Sequence, residues 1–123
     1  MKLLIALMLL SLTACAKPDC EAVKEVHFLM QRHFQVDKHK ACEPVSYADE
    51  LLRGETITGV CTHYALTASD LLERRGVEHQ VWKVRTRLGV PHMVVVTDGW
   101  VLDLRERAVW PVEQFDYEWV KIN

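Results

Sequence analysis

The chain has 123 residues, half of them hydrophobic, with 15 Lys and Arg against 17 Asp and Glu for a formal net charge of −2. That length suits one domain around one core. So even a charge balance, with no basic stripe, gives no reason to expect a nucleic-acid partner. No internal repeat, low-complexity tract or second domain is visible.

The chain opens on Lys2, then an apolar run from Leu3 to Leu12. A charged start, a short apolar stretch and small residues before a cut site form a secretion signal. The run falls short of the roughly 20 apolar residues of a spanning helix. Leu12-Thr13-Ala14-Cys15 resembles the lipobox of bacterial lipoproteins. That resemblance implies cleavage before Cys15 and lipidation at Cys15, where several acyl chains anchor stably and one would not. In such lipoproteins an Asp after the cysteine retains the protein at the inner membrane. Ala16 stands there, which implies the outer membrane, facing the periplasm. The expected organisation is a signal peptide over 1–14, a lipid anchor and short tether over 15–18, and one domain over 19–123.

Within that domain, Ala22, Val23, Val26, Leu29, Met30 and Phe34 recur at helical spacing, so a helix is predicted from Asp19 to about Phe34, with Pro18 and Asp19 suiting its start. Residues 35–45 are polar, contain Pro44 and read as a loop. Ser46 can cap a short helix through Leu52, with Gly54 just past its end. A longer helix is predicted from about Gly59 to Arg75, stopping at Gly76. Its stripe of Cys61, Ala65, Ala68 and Leu72 places Cys61 in the first turn, facing inward. Strands follow at His79 to Arg87, His92 to Thr97 and Trp100 to Leu104, the last two flanking the two-residue turn Asp98-Gly99. A short strand closes the chain at Trp119–Ile122. Helices followed by an antiparallel meander define an α+β domain, the N-terminal helices packed on the sheet.

The hairpin places chemistry. A two-residue turn pairs Val96 with Val101 and Val94 with Asp103, so His92 and Asp103 share a face as diagonal neighbours, roughly 7–8 Å apart at the backbone. A hydrogen bond between the two side chains can close that gap. Asp103 sits among Trp100, Val101, Leu102 and Leu104, where an ionised carboxylate is costly unless paired. Cys61 is the third part. A helix N-terminus favours the thiolate, and a nearby histidine favours it further and can take its proton. Nucleophile, base and orienter then follow triad logic, with the Cys61 backbone N–H a candidate oxyanion donor.

The other candidates carry less. Cys61 and His63 lack zinc spacing, so His63 is expected to be a packing or rim residue. Cys20 and Cys42 flank the first helix and the loop after it, and a disulfide between them is expected in an oxidising compartment. Trp82, Trp100, Trp110 and Trp119 are expected in the core or in groove walls. Lys83, Arg85 and Arg87 alternate along one strand and read as a solvated face.

The run Gly59-Val60-Cys61-Thr62-His63-Tyr64-Ala65, then Pro91-His92-Met93-Val94-Val95-Val96, then Val101-Leu102-Asp103 resembles the transglutaminase-like superfamily. It is most similar to the bacterial transglutaminase-like cysteine peptidases. Tyr47 to Gly54 resembles that family's lead-in, and Tyr117-Glu118-Trp119-Val120 its closing strand, so the resemblance spans about residues 47–120. It implies a papain-like core with Cys61 as nucleophile, His92 as general base and acid, and Asp103 as orienter. The implied activity is that of a lipid-anchored envelope thiol hydrolase, a cysteine peptidase cleaving a peptide or amide bond through a thioester. Acyl transfer to an amine would use the same three residues. The implied partners are a protein or peptide substrate in the cell envelope and the membrane itself; a monomer is expected. In place of the acidic residues that flank the family's cysteine, this chain has Val60, Thr62 and His63. A hard cation needs several oxygen ligands, so calcium dependence is not expected, and neither is any other metal or cofactor. The same departure leaves open a non-catalytic lipoprotein that uses the fold to bind or scaffold an envelope partner.

Overall fold

A computed structural model describes residues 18–122. The expected signal peptide over 1–14 and the expected lipidation at Cys15 fall outside the described residues. Helix α1 spans Pro18–His33, followed directly by strand β1, Phe34–Val36. Helix α2 spans Ala48–Leu52, strand β2 Ile57–Gly59 and helix α3 Cys61–Arg74. Then come β3 (Gln80–Arg85), β4 (Pro91–Thr97), β5 (Trp100–Leu102), β6 (Trp110–Pro111), a 3-10 turn over Val112–Gln114 and β7 (Glu118–Ile122).

Strands β3 to β7 form one antiparallel sheet in the order β6-β5-β4-β3-β7, and β1 and β2 pair in parallel beside it. The expected α+β architecture is the one observed. The β4–β5 register is Thr97 with Trp100, Val96 with Val101 and Val95 with Leu102. Asp98 and Gly99 both take positive φ, 49° and 80°, the geometry of a tight hairpin turn that glycine adopts freely and aspartate tolerates.

The helices bury one face each. Ala22, Val23, Val26 and Met30 of α1 meet Ala65, Ala68, Leu71 and Leu72 of α3, and Val81, Val95 and Leu102 of the sheet complete this core. Burying a side chain such as Leu72 or Met30 is worth about 1.5–3 kcal/mol. Alternation along the strands sends Val84, Val94 and Val101 to the opposite face, under Trp82, Phe115, Tyr117 and Trp119. Trp82 and Trp119 stack edge to face at 5.6 Å. Of the tryptophans expected in the core or a groove wall, Trp100 on β5 is 41% exposed and lines a groove with Cys20 and Val109, whereas Trp110 lies 45% exposed on the edge strand β6.

The expected disulfide is a correction. Cys42 is a free, exposed thiol and is not bridged to Cys20. Cys20 borders Thr97 and Trp100 at one end of β4, whereas Cys42 borders Pro91 and His92 at the other. The seven residues of β4 hold those ends roughly 20 Å apart, far beyond disulfide reach.

Candidate active site

Cys61 is the first residue of α3, and Val60 at its N-cap is extended. The junction is built tightly. His63 is fully buried, and its Nδ1 accepts a hydrogen bond from the Val60 N–H at 3.0 Å, capping a helix whose N-cap side chain cannot. A Cβ on Gly59 would stand 2.7 Å from His63 Cβ, so only glycine fits where β2 enters α3. His63 is thus a packing residue, as expected, and its role is to fix the turn that presents Cys61.

His92, near the start of β4, is 8% exposed, and Asp103, one residue past β5, is wholly buried. Asp103 Oδ1 accepts from His92 Nε2–H at 2.7 Å and from the Arg105 N–H at 2.9 Å. Its Oδ2 accepts from the Tyr117 hydroxyl. With Nε2 turned to Asp103, Nδ1 is the nitrogen left for Cys61, whose thiol the His92 ring acts on across the cleft they share. The structure therefore brings together Cys61, His92 and Asp103, the three residues singled out in the sequence. Tyr117 was not among them. Its only signal was a place in the family-like closing segment, which says nothing about where the hydroxyl points. Its ring also stands edge-on to His92, 5.9 Å between centroids.

The protonation states follow from these contacts. Burial pushes the Cys61 thiol up, but the His92 hydrogen bond and charge, with smaller help from the Met93 N–H and the Thr62 hydroxyl, outweigh it and lower the pKa. Burial works against charge on His92, but Asp103 and Cys61 outweigh it and hold the imidazole pKa at about 9. Burial likewise opposes the Asp103 carboxylate, and the bonds from His92, Tyr117 and Arg105 more than compensate, leaving it below the ordinary carboxylate value. Burial, then the bond to Asp103, raises the Tyr117 phenol, so it stays a donor. These shifts all favour a thiolate–imidazolium pair backed by a carboxylate, the charge state of a primed thiol nucleophile.

Cys61 and His92 open on a cleft of about 380 Å³. Thr62, Lys83, Arg85 and Cys42 also line it. Lys83 and Arg85 continue the Val81 face of β3; both are exposed, as expected of a solvated face, and they also border the cleft. Arg87 lies beyond the strand and approaches Asp116 at 3.9 Å, both strongly exposed.

The chain has an α+β fold, and that fold is shared with solved structures. Among solved structures, calcium-bound LapG of Legionella pneumophila matches 87% of this chain over 66% of its own length, at 19% identity and a TM-score of 0.65. A second LapG structure matches the same shares at 18% identity and a TM-score of 0.62, and an EGTA-treated one matches with a TM-score of 0.56. The chain thus spans just under two-thirds of the LapG chains. No family model and no curated protein matches the sequence. As for calcium, Val60, Thr62 and His63 around Cys61 offer no carboxylate. No cluster of three or more His, Cys, Asp or Glu suited to a metal occurs among the described residues. The donor set beside Cys61 does not fit that ion.

Proposed function

We propose that this protein is a thiol hydrolase, a cysteine peptidase acting on a peptide or amide bond. The observation that carries the reading is Cys61 at the N-terminus of α3, sharing an open cleft with a histidine that a buried carboxylate holds through Nε2. The likeness to LapG, a bacterial transglutaminase-like cysteine protease, supports it at the level of fold.

The steps follow from the charges. The Cys61 thiolate attacks the substrate carbonyl carbon. His92, already protonated, gives its proton to the departing amine as the tetrahedral intermediate collapses to a thioester. Neutral His92 then takes a proton from water, hydroxide attacks the thioester, and Cys61 leaves as thiolate. Asp103 keeps the imidazole oriented and stabilises its charge throughout. In this reading Cys15 anchors the enzyme to the envelope, so the substrate is a protein or peptide at the membrane face, and the enzyme acts as a monomer.

Replacing Cys61 by Ala should abolish hydrolysis of a denatured protein or mixed-peptide substrate while circular dichroism and melting stay near the parent values. Undiminished hydrolysis by folded Cys61→Ala protein would remove the proposal.

A further inference from the structure

Lys83 and Arg85 line the cleft from the same side as Cys61, and no carboxylate lines it. Both are exposed, and neither has an ion pair within 4 Å among the described residues. Arginines among the described residues that gain such partners do so elsewhere: Arg74 with Asp49 and Asp70, Arg75 with Glu25, Arg53 with Glu55 and Arg87 with Asp116. Glu118 stands opposite Arg85 in the sheet register without pairing to it. The N-terminal end of α3 adds positive potential to the same wall. Two cations without ion pairs beside a nucleophile, in a cleft that no acidic side chain lines, are complementary to negative charge on what the cleft holds.

We propose that the substrate is an acidic peptide segment, with Asp or Glu flanking the bond presented to Cys61. This rests on the peptidase reading above and names its substrate class. The two exposed cations each add a modest pairing energy, so an acidic peptide should bind about three- to tenfold more tightly than its neutral isostere. The test uses Cys61→Ala protein and fluorescein-labelled decapeptides of Gly and Ser carrying Glu, Gln or Lys at four flanking positions. Anisotropy should rank Glu above Gln above Lys, and raising salt from about 50 to 500 mM should erase most of the difference, since screening falls below ~5 Å. Lys83→Glu with Arg85→Glu should invert the ranking. Equal affinity for the Glu and Gln peptides, or no binding of the Glu peptide, overturns the proposal. Turnover of the same peptides by the parent protein is scored separately: a charge ranking without cleavage keeps the binding preference and removes the peptidase reading.

A second observation, independent of charge, concerns Cys42. Its sulfur lies 2.9 Å from the Thr62 hydroxyl, and that hydroxyl also bonds Cys61. Two free thiols therefore flank one hydroxyl in one cleft, which places their sulfurs within roughly 7 Å. Cys42 is exposed and follows β1 on a polar loop. The loop is tied down by Asp37 N–H to the Gly59 carbonyl at 2.8 Å and by Lys40 Nζ to the Thr58 carbonyl at 2.6 Å.

The geometry points to Cys42 as the resolving thiol of Cys61. A peroxide supplies the oxidant: the Cys61 thiolate attacks one oxygen, the O–O bond breaks, and sulfenic acid forms with release of hydroxide or alkoxide. Cys42 then attacks the Cys61 sulfur, the S–O bond breaks, and the Cys42 proton leaves with the hydroxyl as water. Two electrons have passed from the two thiols to the peroxide, and a dithiol reverses the product disulfide. After a brief peroxide pulse, peptide mapping should find Cys42 and Cys61 linked with the loss of two hydrogens, and a dithiol should restore iodoacetamide labelling of Cys61. In Cys42→Ser, Cys61 should instead gain two oxygens and stay unlabelled after dithiol. Parent protein that forms no linked peptide, or a Cys42→Ser variant that recovers as fully as the parent, contradicts the assignment.

Discussion

Asp103 has no solvent exposure, yet it carries its charge because three donors reach it: the His92 ring, the Tyr117 hydroxyl and the Arg105 N–H. Asparagine in its place keeps the volume but presents an amide to a histidine that needs an acceptor and a counter-charge. Asp103→Asn should lower turnover by about 10²–10⁴-fold with little change in KM, read by steady-state kinetics. Tyr117→Phe removes one donor from a buried carboxylate and should cost about 1–3 kcal/mol in urea unfolding. The resting ion pair sets the pH profile. Turnover should rise as pH climbs through the lowered Cys61 value and fall as His92 loses its proton near pH 9, with both limbs belonging to the coupled pair. At this scale the sequence was informative where periodicity acts. A hairpin turn two residues long commits His92 and Asp103 to one face, and helix spacing commits Cys61 to the first turn. The Tyr117 contact was not legible, because it depends on how the segment after the 3-10 turn folds back over the sheet.

The junction between β2 and α3 shows how an element delivers a residue. Gly59 ends the strand, His63 caps the helix with its ring, and Cys61 sits between them. Gly59→Ala would press a methyl into a buried ring that has no room to move, so a loss of about 1–3 kcal/mol is expected. Thermal melting measures that loss, and slower alkylation of Cys61 should accompany it. The sequence predicts α3 and the meander to within a few residues but reads 35–45 as loop and starts α3 at Gly59. Strands β1 and β2, three residues each, are too short to show an alternation, and their parallel pairing depends on contacts 23 positions apart in the chain, Phe34 with Ile57. The loop after Asp103 is likewise held by a distant element: the His27 ring bonds the Arg107 carbonyl at 2.9 Å, and Gln31 Nε2 donates to that of Glu106 at 3.1 Å. The expected Cys20–Cys42 bridge failed for a related reason. Cys20 lies in the first turn of α1 and Cys42 on the loop after β1, and the fold carries them to opposite ends of β4.

Across the whole molecule, the site couples to folding through Asp103. Its folded-state pKa is depressed, so its stabilisation is present above the unfolded value of about 3.9 and is lost as pH falls through the folded value. Urea midpoints between about pH 5 and 2 should fall more steeply for the parent than for Asp103→Asn, which lacks that proton uptake. One face of the sheet builds the core with α1 and α3, and the other carries His92 and Asp103 beneath the closing segment. Cys61 meets His92 only at the end of β4, where the two layers part and the cleft opens. The central claim is that Cys61 is a thiolate at neutral pH because His92 holds it there. Iodoacetamide alkylation followed against pH, with each modified cysteine mapped by mass spectrometry, tests this most directly. Cys61 should react well below the ordinary thiol pKa of about 8.5, faster than Cys42, and His92→Ala should return its midpoint to that value. A Cys61 that stays inert below pH 8, or whose profile is unmoved by His92→Ala, would contradict the account.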